Sequence, residues 1–120
     1  MSDASSQREW HFYLDDMIEF AERVMEYTDG LDQAEFVKRT MTYDATLRNL
    51  QLVGEAATRI PQSVRDAVAQ IPWRQIVATR IRLIHAYLGI DNDTLWSIIR
   101  DDVPTLLQAL RRLREELPDC

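Results

Sequence analysis

The sequence predicts an all-α protein, an up-and-down bundle of five or six helices. Three observations indicate this fold. Apolar residues recur at helical spacing along most of the chain, only three glycines and four prolines interrupt its 120 residues, and no segment is typical of a strand. With 46% hydrophobic residues, a chain of this length can form one packed domain. We assign residues 1–8 to a disordered polar tail and residues 9–118 to the helical-bundle domain.

The first half of the chain predicts three helices. The first runs from about Gln7 to about Tyr27, and Gly30 terminates it. The second is short, begins at a capping Asp32 and ends at Lys38. The third extends from about Thr42 to about Arg59 and stops before Pro61. The residues expected to face the core from the two long helices are Trp10, Leu14, Met17, Ile18, Ala21, Val24, Met25, Leu47, Leu50, Val53, Ala56 and Ala57.

Two further helices are predicted before residue 90. A short one occupies the segment from Pro61 to Ile71, with Gln62 or Ser63 as its cap. The next begins at Pro72, since a proline at the first helical position loses no hydrogen bond. Gly89 ends it.

The last helix is predicted to begin at a capping Asp91 or Asp93. Its apolar residues follow a seven-residue repeat, which indicates lengthwise packing against a helix of the same chain or of a second copy. Pro104 lies within the repeat and is expected to kink the helix. The residues of the repeat are Trp96, Ile99, Val103, Leu106, Leu110, Leu113 and Leu117.

The charge is distributed unevenly. The formal net charge is −6, yet residues 38–82, here called the basic segment, carry eight Lys or Arg and three acids. Local charge steers a polyanion more than the total does. The alternative is that these cations pair with acids of the flanking helices.

Several classes of protein are not indicated. The polar N-terminus lacks the apolar stretch of a secretory signal, and no apolar run is long enough to span a membrane. The single cysteine, Cys120, cannot form an internal disulfide, which fits a reducing compartment. No group of residues has the spacing of a metal site, and no glycine-rich phosphate loop is visible. We therefore expect a cytoplasmic protein without membrane contact, metal or cofactor.

The most informative segment is the helix that begins at Pro72. Arg80 falls at the centre of its apolar arc, and burying an unpaired guanidinium costs several kcal/mol. Arg80 must therefore pair with a carboxylate such as Glu55 or Asp44, line a groove, or face a polar ligand. The apolar residues of the arc are Trp73, Ile76, Val77, Leu83, Ile84 and Leu88.

His85 and Tyr87 follow Arg80 on the same helix. Histidine transfers protons near neutral pH, and the arginine fork binds two phosphate oxygens at once. Together they can in principle cleave RNA without a metal. The alternatives are a solvated histidine at the helix edge and a tyrosine that packs in the core.

This pattern resembles the HepT-like branch of the HEPN superfamily. The motif is Arg-x4-His-x-Tyr, present as Arg80, His85 and Tyr87, and the resemblance covers roughly residues 10–117. Supporting stretches are Ile71-Pro72-Trp73-Arg74-Gln75-Ile76, Leu88-Gly89-Ile90-Asp91 with Leu95-Trp96, and Leu52-Val53-Gly54-Glu55-Ala56-Ala57.

The resemblance implies a small helical toxin of a toxin–antitoxin pair. Members are metal-independent endoribonucleases that act as homodimers, with the two motifs meeting in a cleft at the interface. Arg80 would hold the scissile phosphate and His85 would be the general acid and base. The implied partner, an MntA-type nucleotidyltransferase, attaches AMP to the motif tyrosine, here Tyr87. Glu55 is a supporting residue, and Arg74 and Arg82 are candidate guides for RNA.

One position departs from the family pattern. Many members carry a polar residue, often Asn, directly after the motif arginine, where this chain has Ile81. The departure favours an alternative, a non-catalytic subunit that binds a nucleotide or the nucleotidyltransferase without cleaving RNA.

Overall fold

The computed structural model describes residues 3–79 and 91–116, with side-chain surroundings from residue 10 onward. Every regular element in these ranges is helical, which confirms the predicted all-α class. The helices are α1 (Asp3–Thr28), α2 (Gln33–Lys38), α3 (Thr40–Ala57), α4 (Gln62–Ala67), α5 (described over residues 73–79), α6 (Asn92–Ser97) and α7 (Val103–Glu116). A π-helical turn, Ile98–Asp102, joins α6 to α7.

The core lies where α1, α3 and α7 pack together. Every core residue predicted for α3 is buried, and so are five of the seven predicted for α1; Ile18 and Met25 are only partly buried. Amphipathic helices of this kind are stabilised mainly by the burial of one apolar face. The apolar residues below 5% exposure from the three helices are Leu14, Met17, Ala21, Val24, Leu47, Leu50, Ala57, Val103 and Leu110.

Helices α1 and α7 run antiparallel. Arg111 contacts Glu22 and Arg114 contacts Asp15, each at 2.7 Å between nitrogen and carboxylate oxygen. Because the residue number falls on α1 as it rises on α7, the two chain directions are opposite. The predicted lengthwise packing of the last helix therefore occurs within the same chain.

Several predicted boundaries need correction. Helix α1 begins at Asp3 rather than Gln7, so its backbone reaches into the segment expected to be a tail. The division at residue 9 stays a prediction. Helix α3 covers Thr40–Ala57, about two residues ahead of the predicted span, because the carbonyl of Arg39 accepts from Tyr43 and opens the helix earlier.

The predicted cap of α2 is confirmed. The Asp32 side chain accepts from the Glu35 backbone N–H at 2.8 Å, and the Glu35 carboxylate accepts from the Asp32 N–H at 3.1 Å. This reciprocal pair satisfies two donors that the first helical turn leaves unpaired.

The predicted cap of α4 is wrong. Pro61 is the residue before the helix, and neither Gln62 nor Ser63 caps it; the Gln62 amide instead donates to Asp66 at 2.9 Å. The carbonyl of Pro61 accepts from Val64 and Arg65, so the proline positions the first turn without a side-chain cap. Pro72 likewise precedes α5 rather than starting it, since its carbonyl accepts from Ile76.

The last predicted helix is interrupted. Pro104 lacks an N–H, so the carbonyl four residues earlier, of Arg100, loses its helical donor. The chain forms a π turn directly before it, in which the Val103 N–H donates to Ile98. The extra residue in that turn rotates the apolar face. After the turn, Leu107 is therefore buried, whereas the predicted Leu106 is only partly buried. Before it, Leu95 is buried and the predicted Trp96 is only partly buried. Leu117 lies outside the described residues.

The described part of the chain is thus a helical bundle, as predicted. Within it, no helix combines the length and apolar character that crossing a membrane requires.

Candidate functional site

The motif residues lie outside the described part of the structure. Arg80, Arg82, His85 and Tyr87 all fall within residues 80–90, as does Ile81. Their predicted roles therefore stay predictions. The described structure establishes how the chain enters this segment, how it continues afterwards, and where Glu55 and Arg74 lie.

The chain enters the motif segment along a firmly anchored helix. Trp73 and Ile76 are buried, at 6% and 8% exposure, as their places in the predicted arc require, and Val77 is half-buried. The Trp73 indole N–H donates to the Val68 carbonyl at 3.0 Å. This bond ties the first turn of α5 to the end of α4.

The chain resumes at a capped helix. The Asp91 carboxylate accepts from the Thr94 backbone N–H at 3.0 Å and also from the Thr94 hydroxyl, so Asp91, of the two predicted candidates, caps α6. The Gln33 amide donates to Asp93 at 2.6 Å, which fastens α6 to α2. Both chain ends that border residues 80–90 are thus held by specific contacts.

Tyr43 adds a further contact between α3 and α6. Its hydroxyl donates to Asn92 Oδ1 at 2.6 Å, and its ring packs against Phe36 with centroids 5.1 Å apart. Burial, with a smaller effect of the neighbouring Asp44 carboxylate, raises the pKa of the Tyr43 hydroxyl above its usual value of 10.0. The phenol therefore stays protonated and remains a donor to Asn92.

Glu55 is exposed on α3, although Gly54 and Ala56 on either side of it are buried. Its carboxylate forms no ion pair with another described residue. It lines an open groove of about 580 Å³ between α1 and α3. The predicted pair with Arg80 stays a prediction. The described lining consists of Tyr13, Asp16, Phe20, Leu52, Glu55, Ala56, Thr58 and Arg59.

Arg65 is the one described cation of the basic segment with a structural role. Its guanidinium donates to the carbonyls of Ile60 at 2.9 Å and Ala57 at 3.0 Å. These carbonyls lie at and beyond the end of α3, where backbone acceptors lack helical donors. Arg65 thus acts as a side-chain cap for α3.

The remaining described cations of the basic segment do not pair with acids. The ion pairs among the described residues are the two between α7 and α1, and Arg23–Glu19 within α1. The alternative that the flanking helices neutralise this segment is therefore wrong for its described residues. The exposed cations of this group are Lys38, Arg39, Arg48, Arg59 and Arg74.

A second cavity was not foreseen from the sequence. It encloses about 240 Å³ between α1, α3, α5 and α7, with an apolar floor that includes Leu50 and Ile76. Thr79, the last described residue of α5, lies on its wall, and Asp101 and Asp102 of the π turn form its acidic edge. The only sequence signal for it is Pro104, which causes the π turn. Among the described residues, no three His, Cys, Asp or Glu side chains are grouped as metal ligands.

The comparison with known families identifies the chain. The sequence profile described as "Ribonuclease HepT-like" matches residues 17–113, a span that includes the anchored helices and the whole motif segment. The chain belongs to the HepT-like ribonuclease family. The resemblance carried by the Arg-x4-His-x-Tyr motif is thereby confirmed at the level of the family.

Relatives in this family come from archaea and bacteria. A Methanocaldococcus jannaschii protein named as a candidate RNase is 38% identical over 101 residues, which are 84% of this chain and 93% of the relative. A Thermococcus cleftensis protein named as a candidate ribonuclease HepT is 35% identical over 103 residues, 86% of this chain and 94% of the relative. A Caldanaerobacter subterraneus protein named as a candidate RNase is 28% identical over 104 residues, 87% and 93% respectively. No solved structure matches the chain significantly.

Proposed function

We propose that this protein is a metal-independent endoribonuclease that acts as a homodimer. The observation that carries the proposal is the family match over residues 17–113, which includes the complete Arg-x4-His-x-Tyr motif. Relatives that align with more than four-fifths of the chain are named as candidate ribonucleases. RNA is accordingly the proposed substrate, and the cytoplasm the proposed location.

The reaction assigned to the motif is an internal transesterification. The ribose 2′-oxygen attacks the adjacent phosphorus as a base removes its proton, and the bond from phosphorus to the leaving 5′-oxygen breaks as an acid protonates that oxygen. His85 is the proton-transfer residue, and the second subunit supplies the second histidine. Arg80 binds the phosphate oxygens as their negative charge grows.

Other residues have supporting roles in this proposal. Arg74 is exposed in the first turn of α5 and has no acidic partner among the described residues, so its guanidinium is available to an RNA phosphate. Arg82 is assigned the same task by its place in the basic segment. Glu55 is assigned to support Arg80.

The protein is further proposed to be the toxin of a toxin–antitoxin pair. The antitoxin is an MntA-type nucleotidyltransferase that transfers AMP to the Tyr87 hydroxyl, with pyrophosphate leaving if ATP is the donor. The added phosphodiester places bulk and negative charge two residues from His85, which would block an anion site and neutralise Arg80.

The decisive experiment compares RNA cleavage by the parent and by His85→Ala in the presence of EDTA. We expect the rate to fall by about 10²–10⁴-fold, the usual contribution of general acid–base catalysis. His11→Ala is the matched control, since His11 is the only other histidine of the chain, and it should retain the parent rate. Equal cleavage by the parent and His85→Ala would contradict the assignment.

A second candidate function is supported by Ile81, which replaces the polar residue common in the family. In this alternative the protein is a non-catalytic subunit that binds a nucleotide or the nucleotidyltransferase. Expression in a bacterial host separates the two. Growth arrest that requires His85 supports the enzyme, whereas absence of arrest together with stable binding of the nucleotidyltransferase supports the subunit.

A further inference from the structure

The exposed face of α3 and the turn that follows it carry four charges in an antisymmetric order. Asp44, Arg48, Glu55 and Arg59 alternate in sign and are all exposed. At about 100° per residue, Asp44, Arg48 and Glu55 fall within an arc of about 40° on one side of α3. Arg59 follows in the turn after Ala57, where its backbone N–H donates to the Ala56 carbonyl. Asp44 and Arg59 are equally far from the midpoint between residues 51 and 52, and so are Arg48 and Glu55. Each charge therefore has an opposite charge at the mirrored position.

These charges are unpaired within the described part of the subunit. Asp44 and Arg48 are four residues apart, as are Glu55 and Arg59, and such spacing allows pairing along a helix. Neither pair comes within 4 Å, whereas Glu19 and Arg23 on α1 pair at 2.7 Å with the same spacing. The α3 charges thus point outward and are available to an external partner.

We infer that this face of α3 binds the same face of a second copy across a twofold axis. Two antiparallel copies of α3 that cross near Leu52 bring Arg48 opposite the partner's Glu55. They also bring Asp44 opposite the partner's Arg59. Twofold symmetry doubles each contact, which gives four intersubunit ion pairs over about 22 Å along α3 and the turn after it.

Apolar side chains on the same face support contact with protein. Met41 is 87% exposed at the start of α3, and Leu52, at the proposed crossing point, is only partly buried. The groove beside Leu52, which Tyr13 and Phe20 line from α1, gives room for side chains of the second copy. A charge order that is its own complement selects an identical partner over an unrelated one.

This inference rests on the proposed homodimer and specifies the surface that forms it. The test measures the oligomeric state by analytical ultracentrifugation, in which a dimer has twice the 14.0 kDa of one chain. We expect Arg48→Glu and Glu55→Arg each to raise the dimer dissociation constant by about tenfold or more, since each change replaces two attractions with two repulsions. The Arg48→Glu/Glu55→Arg double variant should return to within about threefold of the parent, because the charges are again complementary.

A mixing experiment tests the same geometry independently. The Arg48→Glu/Arg59→Glu variant has four negative positions, and the Asp44→Arg/Glu55→Arg variant has four positive ones. Each should be monomeric alone, and an equimolar mixture should form a heterodimer that weakens in high salt. Arg74→Glu and Glu26→Arg, at exposed positions off this face, control for net charge, and circular dichroism verifies folding.

The outcomes separate this inference from the proposed enzyme. Recovery of the dimer in the double variant supports the α3 interface whether or not the parent cleaves RNA. A dimer that is insensitive to every charge reversal, a double variant that stays monomeric, or a parent that is monomeric at tens of micromolar overturns it. RNA cleavage by a monomeric parent would keep the ribonuclease assignment but contradict the proposal that the second subunit supplies a histidine. If this face bound RNA rather than a second copy, exchanging the charges of Arg48 and Glu55 would not restore the binding.

Discussion

The indole of Trp73 offers a direct test of what anchors the helix that leads into the motif. Trp73→Phe keeps an aromatic ring but removes the N–H that donates to Val68 at 3.0 Å. An intramolecular hydrogen bond contributes about 1 kcal/mol. The smaller ring leaves unfilled space at a site only 6% exposed, which costs about 1–2 kcal/mol more. We expect the free energy of unfolding to fall by about 2–3 kcal/mol.

Trp10→Phe is the matched control for this experiment. Trp10 is also 6% exposed, and its edge-on contact with His11 at 4.4 Å involves no hydrogen bond. The same atoms are removed there without loss of a donor to a described residue, so the cost should be about 1–2 kcal/mol. Urea unfolding of both variants isolates the hydrogen bond as the difference, about 1 kcal/mol, or about 4 °C in Tm. An equal loss in the two variants would refute the role assigned to the indole N–H.

Two further predictions concern Arg65 and Tyr43. Arg65→Met should lower the free energy of unfolding by about 1–2 kcal/mol, because two carbonyls at the end of α3 lose their donor. The control, Arg48→Met, should change it by less than about 0.5 kcal/mol. Equal effects of the two variants in urea unfolding would contradict the capping role. Because the pKa of Tyr43 is raised, the folded state retains the phenolic proton at a pH where the unfolded chain begins to lose it. The contribution of this group to the free energy of unfolding is therefore complete below about pH 10 and falls as the pH rises towards the folded pKa. Tyr43→Phe should flatten this alkaline loss, which urea unfolding of the parent and the variant between pH 8 and pH 11 would show; an equal loss in both would contradict it.

The parts of the fold that depend on regular periodicity were predictable from the sequence. The core faces of α1 and α3 follow from 3.6-residue spacing, because one apolar stripe must be buried whatever it packs against. Asp32 and Asp91 were predictable as caps since a short carboxylate can reach the free N–H groups of the first turn. These signals are local, and tertiary structure does not override them.

The parts that failed depend on backbone geometry that spacing does not encode. The seven-residue repeat of the last helix assumed a uniform helix, and a single π turn before Pro104 exchanged Leu106 for Leu107 in the core. Pro61 occupies the position before α4 and has no side-chain acceptor to cap it, and the Gln62 amide donates to Asp66 instead. The candidate site residues were named from the sequence alone. The described structure confirms that Trp73 and Ile76, on the helix that precedes them, are buried.

The position of the ion pairs bears on how an acidic protein would attract the proposed RNA substrate. The acids of α1 at Asp15, Glu19 and Glu22 are each paired with an arginine, two of which come from α7. These pairs use acids of α1 and arginines of α1 and α7, and the exposed cations of the basic segment that the structure describes have no acidic partner. If Arg48 and Arg59 are used between two copies, Arg74 at the start of α5 is still exposed. Because screening limits electrostatic attraction to about 10 Å at moderate salt, an incoming phosphate responds to such local cations more than to the net charge of −6.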